Sequence, residues 1–403
     1  MDPKHGGRPG ERRPAAPGLW IKLRPVSSIR PTEARVDLGA IARNLGRIRA
    51  VVGTDCGVYA VIKADGYGHG AVQVARTLEA AGARAFAVSL VEEGLELRRS
   101  GIVAGVLVLG AVYGEAHAEA LRHDLTPVVG DLETVERFAL AARRIRHDIV
   151  RIHVKVDTGM SRLGVPAGEL EAFLDGVASF PEVEIVGLAT HLASADGPEA
   201  APTLEQLRRF EEVRAAVARR GISVRRLHVA NSAGLMRFPE SRYDAVRPGL
   251  ALYGHAPVPE VAVPGIEPAL EWTTRLVALH EVAAGTGVSY GGTFRARRRS
   301  RIATLPLGYA DGYPRATSNR AEVLVAGRLA PVVGNVCMDM FMVDVTDIPE
   351  AAVGAEVVLV GRRPGPRGAV EITASDLARH AGTLHYEILT GISKRVPRVY
   401  VGE

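Results

Sequence analysis

The sequence predicts an α/β protein: a closed, TIM-like (β/α)8 barrel over residues 31–265, followed by a C-terminal, mainly β domain over 266–403. Three observations carry this. Eight short apolar runs rich in β-branched residues lie between Val58 and Tyr253, most of them separated by longer stretches of helical period. Eight strand–helix units in about 220 residues suit a closed parallel barrel better than an open doubly wound sheet. Beyond Pro264 and Pro268 the helical period gives way to strand and turn patterns, and 403 residues exceed the usual size of one hydrophobic core.

The chain opens with a Gly-, Pro- and Arg-rich stretch without period, so residues 1–30 are expected to form a flexible tail. The eight expected strands are Val58–Lys63, Ala85–Leu90, Val106–Gly110, Thr126–Val129, Arg151–Val156, Val183–His191, Val224–Ala230 and Ala245–Tyr253. Of the helices between them the clearest carries Leu204, Leu207, Phe210, Val213 and Val217, whose spacing of three and four makes one apolar stripe. In the second domain, strands are expected at Thr273–Val282, Arg301–Pro306, Ala321–Val325 and Val357–Val360, with a short capped helix at Thr373–Ala381.

The net charge of +5 does not point to nucleic acid. Acidic residues are interspersed with arginine throughout, and the basic cluster at Arg295–Arg301 is short and lacks interleaved aromatics. Cys56 and Cys337 lie far apart, which suggests a reducing compartment and no disulfide scaffold. The sequence has no apolar run long enough to span a membrane and no N-terminal hydrophobic signal core, so a cytoplasmic location is expected. No metal site is expected.

Lys63 stands out. The chain has 45 Arg but only five Lys, and this one closes an apolar run and opens the turn Lys63-Ala-Asp-Gly-Tyr67-Gly-His69-Gly70. Unlike arginine, a desolvated lysine can lose its proton near neutral pH and act as nucleophile, base or Schiff-base partner. In barrels of this kind the working groups collect at the C-terminal ends of the strands. Lys63, Asp157, Arg162, His191, Asn231, Ser232 and Arg247 to Gly249 all fall there. Taken singly, His191 reads as a core histidine, Asn231-Ser232 as a helix cap and Arg247 as a solvated charge; together they favour a site.

The motif AVIKADGYGHG at 60–70 resembles the cofactor-lysine motif of alanine racemases. The resemblance continues through KVDTGMSRLG (155–164), THLASAD (190–196), HVANSAG (228–234), VRPGLALYG (246–254), VSYGGTF (288–294), LPLGYADGYPR (305–315), VCMDM (336–340) and HYEILTGISKRVPR (385–398). It implies pyridoxal 5′-phosphate held by Lys63, with L- or D-alanine as substrate joining the cofactor as an external aldimine. A phosphate calls for backbone N–H donors and small residues that allow close approach, which Asn231-Ser232 with Gly249-Leu250 offer, and the resemblance adds the hydroxyls of Tyr67 and Tyr386 to the same site. Arg247, supported by His191, would face the pyridine nitrogen and keep it unprotonated, which suits racemisation and suppresses transamination. Lys63 and Tyr290 would be the two bases on opposite faces of the substrate carbanion.

By the same resemblance, Arg162 approaches the cofactor phenolic oxygen and the substrate carboxylate, and the Met338 backbone amide contacts that carboxylate. Asp196, Tyr290, Tyr309, Arg315 and Tyr386 belong to the narrow entrance. Lys155 is either carbamylated, as is often the case in the family, or an unmodified partner of Asp157. Family likeness further implies a homodimer in which Tyr290 reaches the partner's barrel, and a role in supplying D-alanine for peptidoglycan. The alternatives are a barrel-type pyridoxal decarboxylase, which needs an acidic partner where this chain has Arg247, a non-catalytic pyridoxal-phosphate carrier, and a racemase of broader specificity that accepts serine.

Overall fold

The computed structural model describes residues 29–257 and 261–402, so most of the expected tail lies outside the described residues. Eight parallel strands form a closed ring: Gly57–Val61, Ala85–Val88, Gly105–Val108, Leu125–Val129, Val150–Asp157, Val183–Ala189, Arg226–His228 and Ala245–Val246. The ring closes where Ala245 and Val246 pair with Gly57 and Val58. Period-two alternation sends one set of side chains to the barrel axis and the other to the surrounding helices.

The eighth strand is much shorter than its apolar run. Regular pairing ends at Val246; Arg247 N–H still bonds Ala230 O and Pro248 O still accepts Val61 N–H, but Pro248 has no N–H of its own to give, and the chain then turns through a 3-10 segment at Leu250–Tyr253. Lys63 and His191 likewise lie just past their strands, which end at Val61 and Ala189. In the helix Ala201–Arg219 the expected stripe buries Leu207, Phe210, Val213 and Val217, but Leu204 is 47% exposed. At that end the inner face is taken by Thr203 and Gln206, and the Gln206 amide bonds to Ala193 N and His191 O, tying the helix to the barrel mouth.

The second domain is built on a ten-stranded sheet. The run Thr273–Val282 is two strands, Leu270–Arg275 and Ala278–Val282, because the chain changes neighbours at Leu276-Val277: the first pairs with Glu356–Gly365, the second with Ser300–Leu305. Glu33–Asp37, assigned from sequence to the barrel portion, is hydrogen-bonded into this second sheet between Leu270–Arg275 and Arg398–Val401. The strands Arg328–Val333, Phe341–Asp344, Gly368–Ile372 and Arg398–Val401 were not expected. Helix Ala374–Ala381 is capped as predicted, with Thr373 and Asp376 exchanging side-chain bonds to each other's N–H. One continuous apolar core runs from Ala34 through the barrel to Val396. No helix among the described residues is long and apolar enough to cross a membrane.

Candidate active site

A cavity of about 560 Å³ opens at the C-terminal mouth of the barrel. Its lining includes Lys63, Tyr67, Lys155, Arg162, His191, Asp196, Asn231, Ser232, Arg247, Gly249, Leu250 and Tyr386, drawn from five of the eight strand ends and from the C-terminal helix His385–Gly391.

Lys63 enters on a strained turn. Ala64, Asp65, Gly66 and Tyr67 all adopt left-handed backbone, with φ of 52°, 53°, 60° and 53°. For residues bearing a Cβ this costs about 1–2 kcal/mol each, so neighbours must hold the turn in place. The Asp65 carboxylate accepts Ala71 N–H at 2.8 Å, and the His69 ring lies 3.1 and 3.0 Å from the carbonyls of Gly66 and Tyr67. The Ala64 N–H is taken by Glu93. Burial, and then the Arg162 guanidinium, lower the pKa of the Lys63 amine, while Glu93 opposes them. The amine is therefore freer of its proton than a surface lysine.

Arg247 is buried without a carboxylate partner among the described residues. It donates to the carbonyls of His228, Thr190 and Val229 at 2.5, 2.7 and 3.0 Å, and to the ring nitrogens His228 Nδ1 and His191 Nδ1 at 2.6 and 3.2 Å. Because a guanidinium has only donors, both Nδ1 atoms accept. Neutral His228 then carries its proton on Nε2 and donates it to His153 Nδ1, 2.7 Å away. Burial foremost, with Arg247 next, holds all three imidazoles neutral; the pKa of His153 falls to about 4. Burial also lowers Arg247, to about 10, which leaves it charged at neutral pH.

The same cavity is lined by the hydroxyls of Ser232, Tyr67 and Tyr386. Ser232 Oγ accepts Gly249 N–H at 3.1 Å and Ala251 N–H at 3.3 Å, which leaves its own proton to donate. Gly249 lines the cavity, and here its N–H is held by Ser232. Glycine is still required, since a Cβ at Gly249 would stand 2.3 Å from Tyr67 Oη. Asn231 caps helix Ser232–Arg237 through a bond from Gly234 N–H at 2.9 Å, so its cap and cavity readings both hold. Burial raises the Tyr67 phenol well above its ordinary pKa, and burial followed by Asp196 pushes Tyr386 up to about 12, so both hydroxyls are donors.

The Asp157 carboxylate does not make a hydrogen-bonded pair with Lys155. Its Oδ1 gathers the N–H groups of Gly159, Met160 and Ser161 at 2.9, 2.9 and 3.1 Å and so folds the loop that brings Arg162 over the cavity. Burial, then Arg162 and Arg247, lower Lys155 to about 8, with Asp157 opposing. Four cationic side chains and the carboxylate of Asp196 line the cavity.

Tyr290, Tyr309, Arg315 and Met338 do not line it; they lie together on the second domain. Tyr290 is 76% exposed and Met338 52% exposed. The display is built: Ser289 has φ of 66°, its hydroxyl donates to Asn335 O at 2.7 Å, and Asn335 Nδ2 donates to Tyr290 O at 2.8 Å. Tyr309 N–H and Ala310 N–H bond to the carbonyls of Cys337 and Met338. Tyr290 and Met338 therefore stand out from the second domain on a loop held by these bonds.

Sequence models of the alanine racemase N-terminal and C-terminal domains match residues 36–257 and 269–400. An alanine racemase from Symbiobacterium thermophilum is 47% identical over 380 residues, covering 94% of this chain and 99% of that protein. The chain belongs to the alanine racemase family. Among solved structures, alanine racemase from Streptomyces coelicolor superposes with a TM-score of 0.87 at 37% identity, over 94% of this chain and 99% of the other. That from Bacillus anthracis, determined with bound L-Ala-P, gives 0.86 at 36% identity, over 93% and 97%.

Family membership makes the chain an amino-acid racemase, and some of its site groups were not singled out from sequence. Glu93 was missed, although an acid at the third position of helix Val91–Arg99, just after a strand end, is a signal for N-terminal capping. His153 was missed too. It lies two residues before Lys155 on one strand and so shares its inward face, which period-two alternation could have shown.

Proposed function

We propose that this racemase interconverts L- and D-alanine with pyridoxal 5′-phosphate in the barrel-mouth cavity, and that it works as a homodimer whose two cavities are each completed by the partner copy. The observation that carries the proposal is the placement of a desolvated Lys63 and a buried, carboxylate-free Arg247 in one cavity lined by four cations. The residues fit the cofactor. Lys63 would hold it through its amine, Ser232, Tyr67 and Tyr386 would donate to its phosphate, and Arg247 would face its ring nitrogen. When bound, the group supplies a conjugated electron acceptor that makes the α-proton of an amino acid labile.

The protein's part is to place charge and move protons. Arg247, fixed by three carbonyls and two neutral imidazoles, puts a positive charge where an acidic residue would favour a ring proton, so protons return locally to the substrate. Lys63 Nζ exchanges the α-proton on one face, and the partner's Tyr290 exchanges it on the other. Arg162, exposed at the mouth, binds the substrate carboxylate, with the Met338 amide arriving from the partner copy. Asp196 and Tyr386, with Tyr309 and Arg315 from the partner's second domain, narrow the entrance to a small side chain.

Lys155, with its pKa near 8, has a sizeable neutral fraction, the form that captures carbon dioxide. Carbamylation would turn a cation pressed by Arg162 and Arg247 into an anion that holds Arg162. The enzyme would work in the cytoplasm, supplying D-alanine for peptidoglycan. A panel of L-amino acids followed by circular dichroism tests it. L-Alanine should lose its ellipticity to zero, and L-serine should react at least about tenfold more slowly, since a narrow entrance discriminates by a few kcal/mol at most. No change with alanine would defeat the proposal, and equal rates for serine would make the enzyme a broad-specificity racemase.

A further inference from the structure

The left-handed turn at Lys63 is closed from within by Gly66 N–H to Ile62 O and Gly68 N–H to Ala64 O, at 2.9 and 3.0 Å. The Ala64 N–H, next to Lys63, points out of the turn instead and meets Glu93 Oε1 at 2.6 Å. The other oxygen of the same carboxylate, Oε2, accepts Ser89 N–H at 2.7 Å and Leu90 N–H at 3.0 Å. One side chain therefore clamps the exit of the first barrel strand to the exit of the second, where Ser89 also lines the cavity. Four consecutive left-handed residues have no intrinsic preference for this shape, so an external tie decides whether it persists.

We propose that Glu93 is a positioning residue for Lys63: by holding the Ala64 N–H it fixes the left-handed turn and so aims Lys63 Nζ into the cavity. The proposal rests on the reading of Lys63 as cofactor-holding residue and base. A carboxylate can accept all three N–H groups, whereas a glutamine has one acceptor oxygen and sets an NH2 against at least one donor. The exposed neighbour Glu92, on the same helix, provides a control.

The test compares holoenzymes carrying Glu93→Gln, Glu93→Ala and Glu92→Gln. In both Glu93 variants kcat for L-alanine is expected to fall by about tenfold or more, because a small misplacement of a reacting group is costly, while KM stays within about threefold. Hydrogen exchange of the Ala64 amide should quicken by about tenfold or more once its acceptor is lost or weakened, with the amides of Val150–Asp157 unchanged. Glu92→Gln should match the parent in every measurement. Parental exchange at Ala64 in both Glu93 variants would overturn the proposal. So would faster exchange with an unchanged kcat per folded chain, or a fall in activity that only tracks loss of folded protein. Exchange at Ala64 does not depend on what Lys63 does, so a failure of the clamp and a failure of the Lys63 reading give different results.

Discussion

Arg247→Glu is expected to slow racemisation of alanine by about 10²-fold or more, the usual cost of removing one preorganised charge, and to raise the share of turnovers that end as pyruvate. The wild-type guanidinium sits among three carbonyl oxygens and two neutral imidazoles. A carboxylate in that place is repelled by the carbonyls, relieved in part by Lys155 and by protonation of His191 or His228, and its charge would favour a proton on the cofactor's ring nitrogen. With glutamate there, bound pyridoxal phosphate would be a stronger electron acceptor, and return of the proton to the substrate carbon would lose its advantage over transamination. Arg247→Lys keeps the charge and should keep the product ratio while losing rate. Circular dichroism for racemisation, set against pyruvate release, measures both. An unchanged ratio in Arg247→Glu would remove Arg247 from this role.

Lys63→Ala and Tyr290→Ala chains should each be nearly inactive, with losses of roughly 10³-fold or more for a residue that acts as acid and base. Mixed under conditions that let protomers exchange, they should recover about a quarter of wild-type activity per chain, since about half the dimers are mixed and each then has one intact site. The structural motive is the separation of the two residues. Lys63 lines the barrel cavity, whereas Tyr290 stands 76% exposed on the second domain and does not line it. Activity remaining at parental levels after verified exchange would exclude Tyr290 from acting across an interface.

The barrel was legible because its strands are buried on both faces and read as apolar runs, and because turn chemistry separates them. Their ends were less so: Pro248 truncates the eighth strand in a way that hydrophobicity alone does not show. The second sheet was only partly readable. Glu33–Asp37 and Arg398–Val401 lie at opposite ends of the chain and are strands through long-range pairing, a fact no local window contains. The cavity residues were found through their place at strand ends and through family resemblance. Glu93 and His153 escaped because each acts through another group, Glu93 on a backbone N–H and His153 on His228, and neither has a local signature apart from its position on the element.

If Lys63 holds the cofactor at the barrel mouth, reduction should fix the two together. Treating the purified holoenzyme with borohydride and mapping the modified peptide by mass spectrometry tests it most directly. A pyridoxyl label on Lys63, with Lys155 unlabelled although it lines the same cavity, is the predicted result. A label on Lys155 or on any other lysine would exclude Lys63 from holding the cofactor.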